Sequence, residues 1–173
     1  MMRICILFLL LVLSCTQETR EVLPSRQGMP DQESWGVTII LTDQGIKRAE
    51  VKSGHLEKYH EKEFIMLDEN VRVDFYDNTE RHTSVLTAKK AEINQDSNDM
   101  KALGNVIAKS DSGIILYSET LTWLSRDELL ITKDSIMITT LESDTLYGIG
   151  FESDSDLKNW KILNPSGVSG RDF

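Results

Sequence analysis

The sequence contains very little cysteine and proline. Its 173 residues include only two cysteines, Cys5 and Cys15, which both lie close to the N-terminus. A domain that begins after them has no internal disulfide, so strand pairing and packing must hold it together. Three prolines are too few for a rigid proline-rich spacer.

Basic residues are scarce as well. The chain has 19 lysines and arginines against 28 aspartates and glutamates, which gives a net charge of −9. Nucleic-acid binding requires a basic surface and peripheral binding to anionic lipid requires a basic patch, so neither partner is expected. The sequence also lacks the phosphate-binding G-x-x-x-x-G-K-[ST] loop and the G-x-S-x-G context of a serine hydrolase. These absences argue against an ATPase and a serine hydrolase, and we expect a protein that is not an enzyme and has no catalytic residues. The alternative is an envelope enzyme, which would need a polar pocket with clustered acids.

Only one long apolar run occurs, from Ile4 to Leu13. It is too short for a membrane-spanning helix, which needs roughly 20 apolar residues, but it matches the central region of a signal peptide. The sequence Val12-Leu13-Ser14-Cys15 resembles the bacterial lipobox, in which the cysteine thiol carries the lipid. We predict a signal peptide at residues 1–14 and a lipid anchor at Cys15. The alternative is an ordinary secretory signal with an incidental cysteine.

The rest of the chain divides into three segments. Residues 15–34 are polar and aperiodic, which predicts a flexible tether between the lipid and the folded domain. Residues 35–165 consist of short runs of alternating apolar and polar side chains separated by turn residues, a pattern typical of an all-β sandwich, barrel or solenoid. Residues 166–173 are glycine-rich and are expected to form a C-terminal tail.

Two polar clusters interrupt the alternating runs. The same part of the chain contains a weak internal repeat of strand–turn–strand units. Asp68-Glu69-Asn70 and Lys133-Asp134 are predicted to be turns that each end one short strand and begin another. Three strand–turn–strand units can be aligned with their centres at Val71, Val106 and Ile136, which are 35 and 30 residues apart. Such units cannot bury an apolar face alone and must stack on one another.

The alternation also predicts which side chains face inward. A lipid-binding trough and a closed core give the same pattern, so the sequence does not decide which of the two the inward-facing residues form. Trp123 would either stack at the mouth of a trough or cap a sheet, and Gly104, Gly148 and Gly150 indicate bulges or a close backbone approach within strands. The candidate inward-facing residues are Val37, Ile39, Leu41, Phe64, Met66, Val71, Val73, Phe75, Val106, Leu116, Leu121, Ile136 and Ile138.

A metal site is conceivable around two of the histidines. His55 and His60 are five residues apart, and Glu57, Glu61 and Glu63 lie nearby. Histidine and carboxylate side chains are metal ligands. However, the spacing does not match a helical pair and the segment is predicted to be a turn. We therefore expect neither a metal nor another cofactor.

Three pieces of the sequence resemble one family of envelope proteins. Ala102-Leu103-Gly104-Asn105-Val106 resembles the GNV hairpin of the OstA-like domains in lipopolysaccharide transport, and residues 118–123 resemble the strand that follows it. Residues 144–151 and 154–160 resemble the closing segment of the LptC family. Together the similarity extends over about residues 35–168, which is nearly the whole predicted domain.

The resemblance to the LptC family implies an open, twisted β-jelly roll of the OstA/LptA type, built from antiparallel strand–turn–strand repeats. It implies a periplasmic bridge component of lipopolysaccharide export that holds lipid A acyl chains in an apolar trough lined by the inward-facing candidates. Such a protein would receive lipopolysaccharide from an inner-membrane LptB-F-G-type ABC transporter and pass it to an LptA-like protein through edge strands. The alternative is a structural or adhesive β-sandwich lipoprotein with a closed core.

The predicted anchor is the least family-like feature. Members of the LptC family usually hold the membrane with a transmembrane helix, whereas this chain is predicted to use a lipid on Cys15. Thr16 follows the cysteine, so the aspartate that marks inner-membrane retention is absent. We expect a periplasmic protein that is lipid-anchored to the envelope; the inner membrane is favoured and the outer membrane stays open.

Overall fold

The computed structural model describes residues 29–59, 62–142 and 144–166. Within these ranges the regular secondary structure consists of nine β-strands. No helix in the described part of the chain has the length and hydropathy of a membrane span. The predicted signal peptide 1–14, Cys15, most of the predicted tether and residues 167–173 lie outside the described residues.

The strands form one antiparallel sheet in chain order. Each strand pairs only with its neighbours in the sequence, which leaves the first and the last strand as unpaired edges of the described sheet. The sheet is therefore open. The strands are β1 (Gln32–Asp43), β2 (Ile46–Lys58), β3 (Phe64–Tyr76), β4 (His82–Asn94), β5 (Met100–Ser110), β6 (Ile115–Leu124), β7 (Leu129–Thr139), β8 (Thr145–Asp154) and β9 (Trp160–Ser166).

Six neighbouring strand pairs shift register near the middle of the strands. A bulge bends a strand and increases its twist. Because these shifts lie at the same level from β2 to β8, they form a line along which the sheet folds, which we name the bulge row. The shifts fall between Lys52 and His55, Asp68 and Val71, Thr87 and Lys90, Leu103 and Val106, Ser118 and Thr122, and Thr132 and Ser135.

The two turns predicted at Asp68-Glu69-Asn70 and Lys133-Asp134 belong to the bulge row, so that prediction is wrong. Strands β3 and β7 continue through them. Glu69 and Asn70 have φ angles of 59° and 62°, in the left-handed region that turns also use. Gly104 and Asn105 repeat this conformation on β5, with φ angles of 79° and 50°. A bulge and a turn therefore select the same residue types.

Buried hydroxyl groups satisfy backbone groups at the bulges. Ser53 and Ser118 each donate a hydrogen bond to the carbonyl oxygen two residues further along, at 2.7 Å and 2.8 Å. Thr132 accepts a hydrogen bond from the amide two residues further along, at 3.1 Å. All three side chains are buried. An unpaired backbone group would be costly at these buried positions, so the hydroxyls help to stabilise the bulge row.

The folded sheet has two layers. The first layer contains the C-terminal halves of the odd-numbered strands and the N-terminal halves of the even-numbered strands, and the second layer contains the other halves. Phe75 on β3 and Trp123 on β6 lie in different layers, and their ring centroids are 5.3 Å apart in an edge-to-face contact. In a flat sheet β3 and β6 would be about 14 Å apart. Folding along the bulge row brings these rings together.

The inner faces of the two layers form one apolar core. Burial of each large side chain contributes about 1.5–3 kcal/mol to stability, so this core is the main stabilising element of a domain whose described residues include no cysteine. The largest side chains with less than 2% exposure are Trp123, Phe75, Phe151, Leu67, Leu86, Met100, Leu116, Leu121, Leu130, Ile138, Leu157 and Val51.

Both ends of the described domain differ from the sequence-based boundaries. Strand β1 begins at Gln32, inside the predicted tether, because residues 32–34 pair with residues 56–58 of β2. The side chains of residues 32–34 are all polar, so they do not show the alternation of apolar and polar residues that predicts a strand. Strand β9 continues past the predicted end and includes Pro165, which an edge strand tolerates because one side of it has no ladder.

We expect Gly148→Ala to displace β9. A Cβ at Gly148 would collide with Cγ2 of Ile162 and lie 2.8 Å from the carbonyl oxygen of Asn164. The substitution should lower the free energy of unfolding by about 1–3 kcal/mol and speed amide exchange in residues 160–166. Gly36→Ala is the control for a destabilising substitution remote from β9: its φ of 61° strains an alanine within β1, but a Cβ there meets nothing within 4 Å. Unchanged exchange of β9 in Gly148→Ala would contradict the prediction.

Candidate functional site

The space between the two layers is the candidate site, and most of the candidate inward-facing residues line it. Val37 and Ile39 are partly buried and pack against the core from β1. The other inward residues are deeply buried, with exposures of 6% or less. They are Leu41, Val71, Val73, Phe75, Val106, Leu116, Leu121, Ile136 and Ile138.

Phe64 and Met66 do not face inward, so their inclusion in the inward-facing set is wrong. Their neighbours Ile65 and Leu67 are the residues of this run that contact the core. Met66 pairs with Glu57 across β2, on the outer face of the sheet. Residues 64–67 are apolar throughout, so the sequence does not reveal which alternate positions point inward.

The centres of the predicted repeat occupy equivalent positions. Val71, Val106 and Ile136 are each the first buried inward residue after the bulge, on β3, β5 and β7. The repeating unit is a pair of bent strands, and each unit adds one apolar side chain beside the bulge row. The interior is therefore continuous across the sheet.

The hairpin turns of the two layers face each other on the side opposite the bulge row. We name this side the mouth. Arg48 of the first layer forms an ion pair with Glu128, in the β6–β7 turn of the second layer. Ser84 of the first layer donates a hydrogen bond to the carbonyl oxygen of Ser155, in the β8–β9 turn of the second. These two contacts join the layers across the mouth, and the protein's own side chains fill the space behind them.

Two buried polar atoms beside the mouth have no hydrogen-bond partner among the described residues. They are Nε of Arg48 and Nε1 of Trp123. A buried N–H group without an acceptor costs about 1–3 kcal/mol. The contacts near the mouth are thus less favourable than the fully apolar core behind them.

Charged side chains from both layers border the mouth. Asp156 and Lys158 come from the second layer, and their carboxylate and ammonium groups are 2.5 Å apart. Burial raises the pKa of Asp156, but hydrogen bonds from the ammonium group and the backbone amide of Lys158 outweigh it and leave the pKa below its ordinary value. The resulting cleft has a volume of 280 Å³ and is lined by Asp77, Arg81, His82, Thr83, Asp111, Ser112, Asp156 and Lys158.

The two edge strands offer backbone groups to another chain. On β1, Trp35 and Ile40 are 66% and 57% exposed, and the strand contains no proline. On β9, Leu163 is exposed and Pro165 lacks an N–H group. Unpaired edges are ready to accept an added strand. Strand β1 is the longer and less obstructed of the two.

Together these features define a class of protein: an open β-jelly roll made from one folded sheet, with an apolar interior and a charged mouth. A family model described as "Lipopolysaccharide-assembly, LptC-related" matches residues 4–168. The chain therefore belongs to the LptC-related family of lipopolysaccharide assembly. This confirms the family resemblance and assigns the chain a role in lipopolysaccharide transport.

The fold comparison agrees with the family. The chain is similar in structure to LptH from Pseudomonas aeruginosa, described as the LptA-homologous periplasmic component of the conserved lipopolysaccharide transport device. The TM-score is 0.53 at 14% identity, over 70% of this chain and 85% of that one. The predicted LptA-like β-jelly roll is thereby confirmed. No curated protein sequence matches this chain. LptC-like and LptA-like proteins are periplasmic components of the envelope.

Sequence reasoning missed the residues that join the layers across the mouth. Arg48 and Glu128 are 80 positions apart, and Ser84 and Ser155 are 71 positions apart. All four are polar residues in or near turns, where a solvated side chain is the ordinary expectation. Only the folding of the sheet makes these pairs neighbours, so no local pattern could have identified them.

We expect Asp74→Asn to reduce the acid sensitivity of the fold. Burial raises the pKa of Asp74, but hydrogen bonds from Arg72, at 3.0 Å, and from His82, at 3.3 Å, outweigh it and bring the pKa below 3.8. The stabilisation is fully present above that ordinary value and is lost as the pH falls through the lower pKa of the folded state.

Urea unfolding at pH 7, 5 and 3 would measure this effect. The Asp74→Asn variant should be less stable at pH 7 and should lose less stability than the wild type between pH 5 and pH 3. Asp127→Asn, at an exposed turn position, controls for the removal of one carboxylate. The account of Asp74 is wrong if the wild type and Asp74→Asn show the same loss.

Proposed function

We propose that this chain is a bridge component of lipopolysaccharide export that carries lipid A between the two layers of its folded sheet. It would receive lipopolysaccharide from an inner-membrane LptB-F-G-type ABC transporter and pass it to an LptA-like periplasmic protein. The observation that supports this most directly is one continuous apolar interior with a charged border along its mouth. An amphiphile with several acyl chains and a polar head matches that arrangement.

The dimensions of the interior suit acyl chains. Nine strands at a spacing of about 4.8 Å make an interior about 38 Å long. Its side chains already fill it, so the acyl chains would have to separate the layers. Separation at the mouth would break the contacts of Arg48 with Glu128 and of Ser84 with Ser155. The apolar surface exposed in this way would be covered again by the lipid.

The charged mouth gives the bound lipid one orientation. Sugars and phosphates cannot enter the apolar interior without losing their hydration, which is costly for charged groups. Arg81, His82 and Lys158 at the mouth pair with carboxylates of the same cleft and would exchange them for the phosphates of lipid A, while the acyl chains lie inside. The carrier needs no catalytic group of its own, because ATP hydrolysis by the transporter would drive the transfer.

The unpaired edges would provide the route between proteins. If a partner strand adds to β1 or β9, the partner's sheet continues the sheet of this chain and its apolar face continues the interior. The acyl chains could then move along a joined interior without contacting water. A lipid on Cys15 would hold the domain at the envelope, with the inner membrane favoured as its location.

A structural lipoprotein with a closed core is the competing function. The observation that favours it is the filled interior, in which the largest side chains are less than 2% exposed. A closed core would keep the two layers joined whether or not lipopolysaccharide is present. The two functions therefore differ in whether a residue of the inner face can contact lipid.

We expect a photo-crosslinker at position 106 to capture lipopolysaccharide in cells. Val106 lies on the inner face and is 1% exposed, whereas the adjacent Ile107 lies on the outer face and is 38% exposed. A crosslinker at position 107 is the matched control and should give no adduct, although it is more accessible. Equal labelling at both positions, or none at position 106, would count against lipid binding in the interior.

We expect Cys15→Ala to abolish lipid attachment, because the lipid would be carried on this thiol. Metabolic labelling with a fatty-acid analogue should mark the wild-type chain and leave Cys15→Ala unlabelled. Cys5→Ala is the control and should be labelled like the wild type. Labelling of Cys15→Ala would contradict the predicted anchor.

A further inference from the structure

We propose that Glu33, His55 and Glu57 form a binding site for one divalent transition-metal ion that joins the edge strand β1 to β2. Glu33 lies on β1, and His55 and Glu57 lie on β2. One ligand atom from each residue lies within 4.8 Å of those of the other two. The proposal does not depend on lipid transfer, and it reverses the sequence-based expectation that the chain binds no metal.

That expectation treated the segment around His55 as a turn and considered only ligands close in sequence. The structure instead makes residues 46–58 one strand, in which His55 and Glu57 occupy alternate positions on the outer face. Register with β1 then places Glu33 directly opposite Glu57. The third ligand thus comes from another strand. His60 and Glu61, which the sequence also suggested, lie outside the described residues.

The orientation of His55 is suited to metal binding. Its Nδ1 is 2.9 Å from a carboxylate oxygen of Asp68 on β3, and its Nε2 is 2.9 Å from a carboxylate oxygen of Glu33. A carboxylate that accepts the Nδ1 proton orients the ring. Without a metal Nε2 donates its proton to Glu33, and a metal that binds at Nε2 would displace that proton. Asp68 therefore acts as a positioning residue, and Nε2 is directed at the carboxylate of Glu33.

Two aromatic residues contact ligands of the proposed site. The hydroxyl of Tyr59 donates a hydrogen bond to Glu57 at 3.1 Å, which restrains that carboxylate. The ring of Trp35 lies over the imidazole of His55, with 5.4 Å between the ring centroids. Two of the three ligands thus have a supporting partner outside the ligand set, as is typical of sites that hold a metal.

The local charge favours a cation. Two like charges directly opposite each other on neighbouring strands destabilise a sheet. Glu33 and Glu57 form such a pair, and Asp68 adds a third carboxylate beside the same imidazole. Protonation of His55 would supply only one positive charge against these three carboxylates. A divalent ion would supply two and would bridge the opposed glutamates.

The ligand set selects the class of metal. One imidazole nitrogen and two carboxylate oxygens suit Zn²⁺ and similar first-row ions, and the nitrogen ligand disfavours Ca²⁺ and Mg²⁺. Three protein ligands leave a coordination position for water or for a group from a partner. Because the site spans β1 and β2, a bound metal would fasten the edge at which we propose that a partner strand adds.

Titration of the purified full-length chain, in detergent and after treatment with EDTA, would test the site. Isothermal titration calorimetry should show one Zn²⁺ ion per chain, and Zn²⁺ should raise the melting temperature. His55→Ala and Glu33→Gln should each weaken binding about tenfold or more. The conservative Glu33→Gln variant keeps the test valid if His55→Ala fails to fold.

His82→Ala is the matched control, because His82 also lies between two carboxylates, those of Asp74 and Asp111. It should leave Zn²⁺ affinity unchanged. Asp68→Asn should weaken binding while Co²⁺ bound in place of Zn²⁺ keeps the same visible absorption bands, because Asp68 is not itself a ligand.

Absence of Zn²⁺ binding at millimolar concentration would overturn the proposal and leave His55 as a protonated bridge between Asp68 and Glu33. Binding that survives both His55→Ala and Glu33→Gln would also overturn it, as would an equal loss in His82→Ala.

Discussion

The structure depends on the requirement that long strands with one apolar face must bury that face. A flat sheet of nine such strands would leave the face in water. The bulge row solves this by bending neighbouring strands at one level, so that the sheet covers itself. Residues that tolerate a positive φ, such as Gly104 and Asn105, and buried hydroxyls such as Ser53 make the bend possible. The two-layer interior and the mouth follow from that bend, and the described sheet keeps two edges because β1 and β9 do not pair with each other.

The sequence predicted the all-β class, the family and most of the inward face, because alternation is a local property that burial imposes on each strand. The sequence-based prediction failed where two kinds of local structure, a turn and a bulge within a strand, require the same residue types. Asp68-Glu69-Asn70 is polar and tolerates positive φ, as a turn does, but it lies within β3. Residues 64–67 are all apolar, so the sequence does not show which alternate positions point inward. Only the pairing of this strand with β2 and β4 shows that Phe64 faces outward. Contacts across the mouth depend on tertiary pairing and have no local signal. In the cluster around His55, the sequence indicates His55 and Glu57, but only strand pairing adds Glu33.

The same features link the fold to transport. The core that stabilises the empty protein occupies the space that we propose for the acyl chains, so lipid would replace contacts between the layers with contacts to itself. Nε1 of Trp123 and Nε of Arg48, which have no hydrogen-bond partner in the part of the chain that the structure describes, lie where this exchange would begin. At the sheet edge, a metal held by Glu33, His55 and Glu57 would stiffen β1 without obstructing the interior. Loading at the mouth and docking at the edge would then use separate parts of one sheet.

The central claim is that the layers separate at the mouth when lipid binds. Double electron–electron resonance between spin labels at Ser112 and Asp127, exposed turn residues of the first and second layers, measures that separation directly. The account predicts a longer distance when lipopolysaccharide is added and no change with its deacylated saccharide. An unchanged distance in protein shown to carry lipopolysaccharide would contradict the account, and so would an equal increase with the saccharide alone.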